Sequence, residues 1–370
     1  MTILVWILAI LAAPVVVGIV WLAWTFVREF IRYSREGEPL EPAEYVLPAE
    51  AAALGLLPQD QQNTELAGPE PAELTTAVAA AKAGDWQPAA ALLHETGQDW
   101  ERRTLFAWRL AKASVEDDGW LLAWEDARPD DPDAAVVRTR STVALAWDIR
   151  GAKRATYTTA EQFDGFHRTL ARSREHTARA AALAPDDPTP YVNEIWTALG
   201  LSYPHAEMDR IWNEITARAP YHYEAHFSAL QYWCAKWRGS EQLAHDFAER
   251  AAAGAPLGSL LTALPLIAWF EHHDDDATEE DYRTPGLIAL VDAALADTAA
   301  APADHPRLVE VRHLLAYFLT MQDRDEASVE QFLLVDGYIG GMPWSHHGSP
   351  AKRYCWLRDL TVKNAAALTG

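Results

Sequence analysis

The chain opens on its longest apolar run. Ile3 to Val27 carries no charge over 25 residues. As a helix it would extend roughly 37 Å, against a hydrocarbon layer of about 30 Å. Trp6, Trp21 and Trp24 lie towards its two ends, where amphipathic rings settle at a membrane interface. The run is too long for a signal peptide and lacks a basic start. It reads as a membrane anchor, with residues 1–35 as the anchor and its flank. Arg28, Arg32 and Arg35 follow the run and no Lys or Arg precedes it, so the C-terminal side is expected in the cytoplasm. The pattern then breaks. Residues 36–72 hold Pro39, Pro42, Pro48, Pro58, Pro69 and Pro71, which predicts a flexible stalk with at most a short helix near Ala49–Leu57.

From residue 73 to 370 the apolar positions take up a helical period. Met208, Ile211, Trp212, Ile215 and Ala219 fall on one face of a helix. No run of alternating β-branched residues supports a strand. Breaks recur at Pro129, Pro185, Pro220 and Pro256, the last two intervals being 35 and 36 residues and the first 56. The phrase Pro-Asp-Asp-Pro occurs at Pro129–Pro132 and again at Pro185–Pro188, each time ahead of an expected helix. Aspartate there caps free N–H groups, and proline suits a first helical turn. Between the breaks the pattern predicts helix pairs around tight turns, such as Thr76–Lys82 with Gln87–Leu93, and Tyr221–Lys236 with Glu241–Ala253. Hairpins at a period near ~34 residues make the tetratricopeptide arrangement, in which each pair buries its apolar face only by stacking on the next.

Gly84-Asp85-Trp86, with Ala89, Leu92 and Leu93, resembles the turn and second helix of a tetratricopeptide repeat. Residues from about 146 to 256 resemble a bacterial tetratricopeptide-like family of unknown function. The match is carried by Arg150-Gly151, the Phe163–Phe166 stretch, Leu183 to Pro188, Tyr191, Leu199-Gly200-Leu201, Ala219-Pro220-Tyr221 and Tyr232-Trp233 through Ser240. The resemblance implies an all-α fold, a TPR-like solenoid of stacked hairpins behind the anchor and stalk, and it implies no activity.

Composition narrows the function. A net charge of −22 repels the phosphate backbone, which argues against nucleic acid as a partner. Two cysteines, Cys234 and Cys355, make no disulfide framework. Sixteen tryptophans read first as core. Candidate chemistry is sparse. His272, His273 and Asp275 are the weak candidates for a metal, within a run that otherwise reads as a solvated acidic loop. His222 and His226 share a helix face, but Tyr223 stands where a zinc protease needs glutamate. Gly337, Gly340 and Gly341 lack any phosphate-loop spacing. Trp233, Lys236, Trp237 and Arg238 join aromatic and basic groups in an acidic chain. They are the candidate surface for a peptide partner, the alternative being that the two rings pack and the cations face water.

No catalytic residue and no cofactor is expected. The reading is a helical-repeat scaffold for protein partners, held to the inner or plasma membrane by residues 3–27. Two rivals remain open: an α/α-toroid carbohydrate-active enzyme, which needs paired carboxylates across a central cavity, and a purely structural oligomerising membrane protein.

Overall fold

The computed structural model describes residues 45–151 and 158–369. The expected anchor at 3–27 and the first part of the stalk lie outside these residues. Among the described residues no helix is long and apolar enough to cross a membrane.

The described chain is all-helical, with α1 Ala49–Ala53, α2 Ala72–Lys82, α3 Gln87–Glu95, α4 Trp100–Glu116, α5 Gly119–Ala127 and α6 Pro132–Arg150. These are followed by α7 Ala160–Leu183, α8 Thr189–Gly200, α9 His205–Arg218, α10 Tyr223–Trp233 and α11 Glu241–Gly254. The last six are α12 Leu264–His273, α13 Glu279–Tyr282, α14 Pro285–Ala300, α15 Leu308–Met321, α16 Asp325–Val335 and α17 Pro350–Thr369. The long interval between Pro129 and Pro185 is filled by a hairpin of two long helices, α6 and α7, of 19 and 24 residues.

Local chemistry sets the helix starts. Asp99 caps α4, Thr159 and Gln162 form a capping box on α7, and Ser240 caps α11. The two Pro-Asp-Asp-Pro phrases fold alike. Asp131 accepts the Asp133 amide at 3.0 Å, and Asp187 accepts the Thr189 amide at 2.8 Å. The leading proline carbonyl of each phrase accepts an arginine from a later helix, Pro129 from Arg179 and Pro185 from Arg218.

Two main apolar cores result. One joins α2 to α6 around Trp120, Trp124, Phe106 and Leu110, with Ala180 of α7. The larger one runs from α8 to α17 and includes Tyr232, Phe318, Trp344 and Tyr354. A buried arginine bridges them. Arg103 of α4 donates from Nε to Asp187 at 2.7 Å, pairs with Asp133 at 2.7 Å, and reaches the Leu93 carbonyl at 3.3 Å. Beside it His222 Nε2 lies 3.0 Å from both the Thr104 hydroxyl and the Trp100 carbonyl, while Nδ1 accepts the Ala225 amide. The His222–His226 pair is therefore the start of α10.

The stalk expectation needs correction over residues 45–72. This stretch is docked on the C-terminal helices. Tyr45 donates to Asp359, the Leu57 amide to Asp336, and the Ile339 amide to the Asn63 carbonyl. Gly340 is required at this contact, because a Cβ there would sit 2.5 Å from the Glu65 carbonyl carbon. His313 completes it: its Nε2 donates to the Ala67 carbonyl at 2.8 Å, and its Nδ1 accepts the Trp344 indole N–H at 3.0 Å. Prolines removed local hydrogen bonds from this segment, and long-range partners replaced them.

Two outcomes follow. Asp187→Ala leaves Arg103 buried with one carboxylate fewer and should cost about 3 kcal/mol of stability. Asp130→Ala, at a side chain 90% exposed, should cost less than about 0.5 kcal/mol. Equal unfolding midpoints in urea for these two variants would contradict the bridging role. The second outcome concerns acid. Burial pushes His313 down from 6.5 to about 4, so the folded state resists a proton that the unfolded chain takes up. Its contribution is complete above pH 6.5 and is lost as pH falls towards 4. Between pH 7 and pH 5 the wild type should lose about 2 kcal/mol more than His313→Gln, at about 1.4 kcal/mol per pH unit. Parallel urea midpoints across that range would refute this.

Candidate functional site

Every second helix from α4 to α12 sends side chains into one cavity of about 450 Å³. Trp108 comes from α4, Arg140 from α6, Trp196 from α8, Glu224 and Phe227 from α10, and Glu271 from α12. Arg307, Glu310 and the loop around Met342 close the remaining side. The volume is that of a small-ligand or peptide-end site, and few polar groups stand among aromatic walls.

The wall groups are held by one another. Trp196 donates from its indole to Ser228 at 3.0 Å, and Ser228 donates to Glu224 at 3.2 Å. Glu224 pairs with Arg307 at 2.8 Å, and Arg307 pairs with Glu310 at 2.5 Å. Burial raises Glu310 above the usual carboxylate range even against the Arg307 charge. Glu271 behaves oppositely. Burial alone would raise it, but the Lys236 ammonium at 2.6 Å and a Gln231 hydrogen bond at 2.9 Å bring it below that range.

Arg140 is the exception in this wall. No described carboxylate lies within ion-pair distance of it. Its Nε is buried without a hydrogen-bond partner. The guanidinium lies 5.7 Å from the Trp196 ring centre. Burial pushes it down to about 10, with Glu224 resisting and Arg307 adding to the shift.

In the candidate peptide surface the two rings pack on neighbouring aromatics. Trp237 packs edge-on against Trp147 at 5.6 Å, and Trp233 against Tyr232 at 5.0 Å and His205 at 4.9 Å. The chain turns so tightly here that a Cβ on Gly239 would meet the Trp233 carbonyl oxygen at 1.8 Å. Arg238 is exposed. Lys236 alone connects with the cavity, through Glu271. Cys234 is buried and its thiol is pushed up to about 12, which leaves it a packing residue. Of the weak metal candidates, Asp275 is exposed in the turn after α12. His272 uses both ring nitrogens, on the Ala268 carbonyl at 2.8 Å and the Ala235 amide at 3.2 Å. His273 faces α11, 3.2 Å from Glu241.

Arg140, Glu224, Glu271, Arg307 and Glu310 were not anticipated from the sequence. A signal was present. Arg140 stands among Val136, Val137 and Val143, and Glu310 between Val309 and Val311. A charge on an apolar stripe needs a buried partner or a ligand.

Fold and site together define an all-helical protein with a charged, aromatic-walled interior cavity. Comparison with known proteins finds no matching family model, curated protein or solved structure.

Proposed function

We propose that this chain is a membrane-tethered TPR-like recognition module that holds a protein partner by a carboxylate-bearing peptide end seated in the cavity. The observation that carries it is Arg140, a cavity arginine on a tryptophan face with a buried Nε that has no hydrogen-bond partner. A carboxylate supplies the missing acceptor and charge, and a desolvated guanidinium binds it more strongly than one in water. A peptide end presents one carboxylate on a narrow backbone, which suits this volume. Glu224, Glu271 and Glu310 in the same wall disfavour a polyanion. The repeat reading is supported by the alternation of cavity-lining helices and by the matched folding of the two Pro-Asp-Asp-Pro phrases. In this reading residues 3–27 anchor the module and the cavity faces the cytoplasm.

Fluorescence anisotropy with a labelled peptide pool tests it. Peptides with a free C-terminus should bind, amidated copies should bind at least tenfold more weakly, and Arg140→Gln should lose roughly tenfold to a hundredfold in affinity. Equal binding of the free and amidated pools, or an unaffected Arg140→Gln, would overturn the reading.

One observation favours a second reading, the carbohydrate-active enzyme. Glu271 and Glu310 share the cavity with Trp108 and Trp196, and their environments push the two carboxyls in opposite directions. Such a split suits an acid and its partner carboxylate. On that reading the chain hydrolyses an oligosaccharide and Glu310→Gln abolishes turnover. Absence of turnover in the wild type across a glycoside panel excludes it.

A further inference from the structure

A second cluster lies on the surface where α11 meets the end of α12. Glu241 and His245 stand four apart on α11 and so share a face. His273 is the last residue of α12, which packs against α11. Its Nε2 is 3.2 Å from Glu241 Oε1, and its ring centre is 6.1 Å from that of His245. One donor atom from each of the three lies within 4.8 Å of the other two.

We propose that Glu241, His245 and His273 bind a borderline divalent cation, Zn²⁺ first, with a fourth position open to solvent. Two imidazoles and one carboxylate form a donor set that zinc uses when it keeps one position open. Ligand atoms about 2.0–2.1 Å from a tetrahedral ion stand roughly 3.4 Å apart. The His273–Glu241 separation already meets that, and a donor atom of His245 lies within 4.8 Å of both. Glu241 is exposed and both histidines are half-buried, so the open position faces water. Mg²⁺ and Ca²⁺ favour all-oxygen surroundings and suit the site poorly.

The surroundings prepare these ligands. His272, beside His273 in sequence, is excluded because a carbonyl and an amide occupy its two nitrogens. The Trp269 ring lies 5.4 Å from the His273 ring and limits its rotation. Burial pushes His245 below its ordinary value, helped by the charges of His272 and His273 and opposed by Glu241. The bound ion would tie α11 to the last turn of α12, which also carries Glu271 of the cavity wall.

The test uses the full chain without a polyhistidine tag, stripped with chelator and titrated with Co²⁺ by visible absorption, then with Zn²⁺ in competition. One equivalent of Co²⁺ should bind with the absorption of a four-coordinate site, and Zn²⁺ should displace it. His245→Ala and His273→Ala should each weaken binding at least tenfold. His272→Ala should leave the cobalt spectrum unchanged, and excess Mg²⁺ should not compete. Binding well below one equivalent would overturn the proposal, as would unchanged affinity in His245→Ala and His273→Ala. Loss of the cobalt spectrum in His272→Ala would do the same. Far-ultraviolet circular dichroism checks each variant. Should His273→Ala lose helicity, the comparison of Glu241→Gln and His245→Ala with wild type decides, because Glu241 is exposed and His245 half-buried.

Discussion

The arrangement depends on one buried cation. Arg103 sits near the start of α4 with a side chain 6% exposed, and its partner Asp187 is 2% exposed. A lone guanidinium at that depth would be untenable, so the fold must bring carboxylates to it. They come from the two places where the chain repeats Pro-Asp-Asp-Pro. Asp187 belongs to the second phrase, and Asp133 directly follows the first. With the Leu93 carbonyl, Arg103 thereby fixes α3, α4, α6 and the start of α8 relative to one another. The next residue, Thr104, adds α10 through His222. These are not optional contacts: each removes a charge or a ring nitrogen from water and supplies a partner in return.

That junction has a consequence for the cavity. Once α4, α6, α8 and α10 are locked at their N-terminal ends, the residues further along them face one volume. Trp108, Arg140, Trp196 and Phe227 each lie on one of these four helices. The cavity is thus a by-product of stacking alternate helices about a common joint. Its wall charges are then set in order by a shorter chain of bonds from Trp196 through Ser228 and Glu224 to Arg307.

What could be read in the sequence was local. The apolar period marked α9, whose Met208, Ile211 and Ile215 are buried. The proline phrases marked the starts of α6 and α8 because capping is decided within three residues. What could not be read was convergence. Tyr45 and Asp359 are 314 positions apart, and nothing near Tyr45 announces the docking of its segment. The metal candidates were also read from one stretch of chain. His272, His273 and Asp275 are neighbours in sequence, but the side chains that approach His273 are Glu241 and His245 from another helix. Trp233, Lys236, Trp237 and Arg238 stood out by composition, and the two rings pack on distant aromatics such as Trp147. The cavity charges were spread over α6, α10, α12 and the start of α15.

Arg140 shows why an incompletely satisfied group belongs in the functional argument. Arg103 and Arg307 are buried, and each has two carboxylates. A chain with net charge −22 does not lack acidic residues for a third pairing. At Arg140 the fold supplies an aromatic face and a distant Glu224 instead, and the guanidinium is held below its ordinary basicity. That is a cost to the empty protein, because a buried donor without an acceptor destabilises by about 1–3 kcal/mol. A ligand bearing the acceptor removes the cost as it binds, so occupancy and stability rise together. The two paired arginines give the structure its frame, while the third, on the proposed function, keeps part of its bonding capacity for the peptide carboxylate.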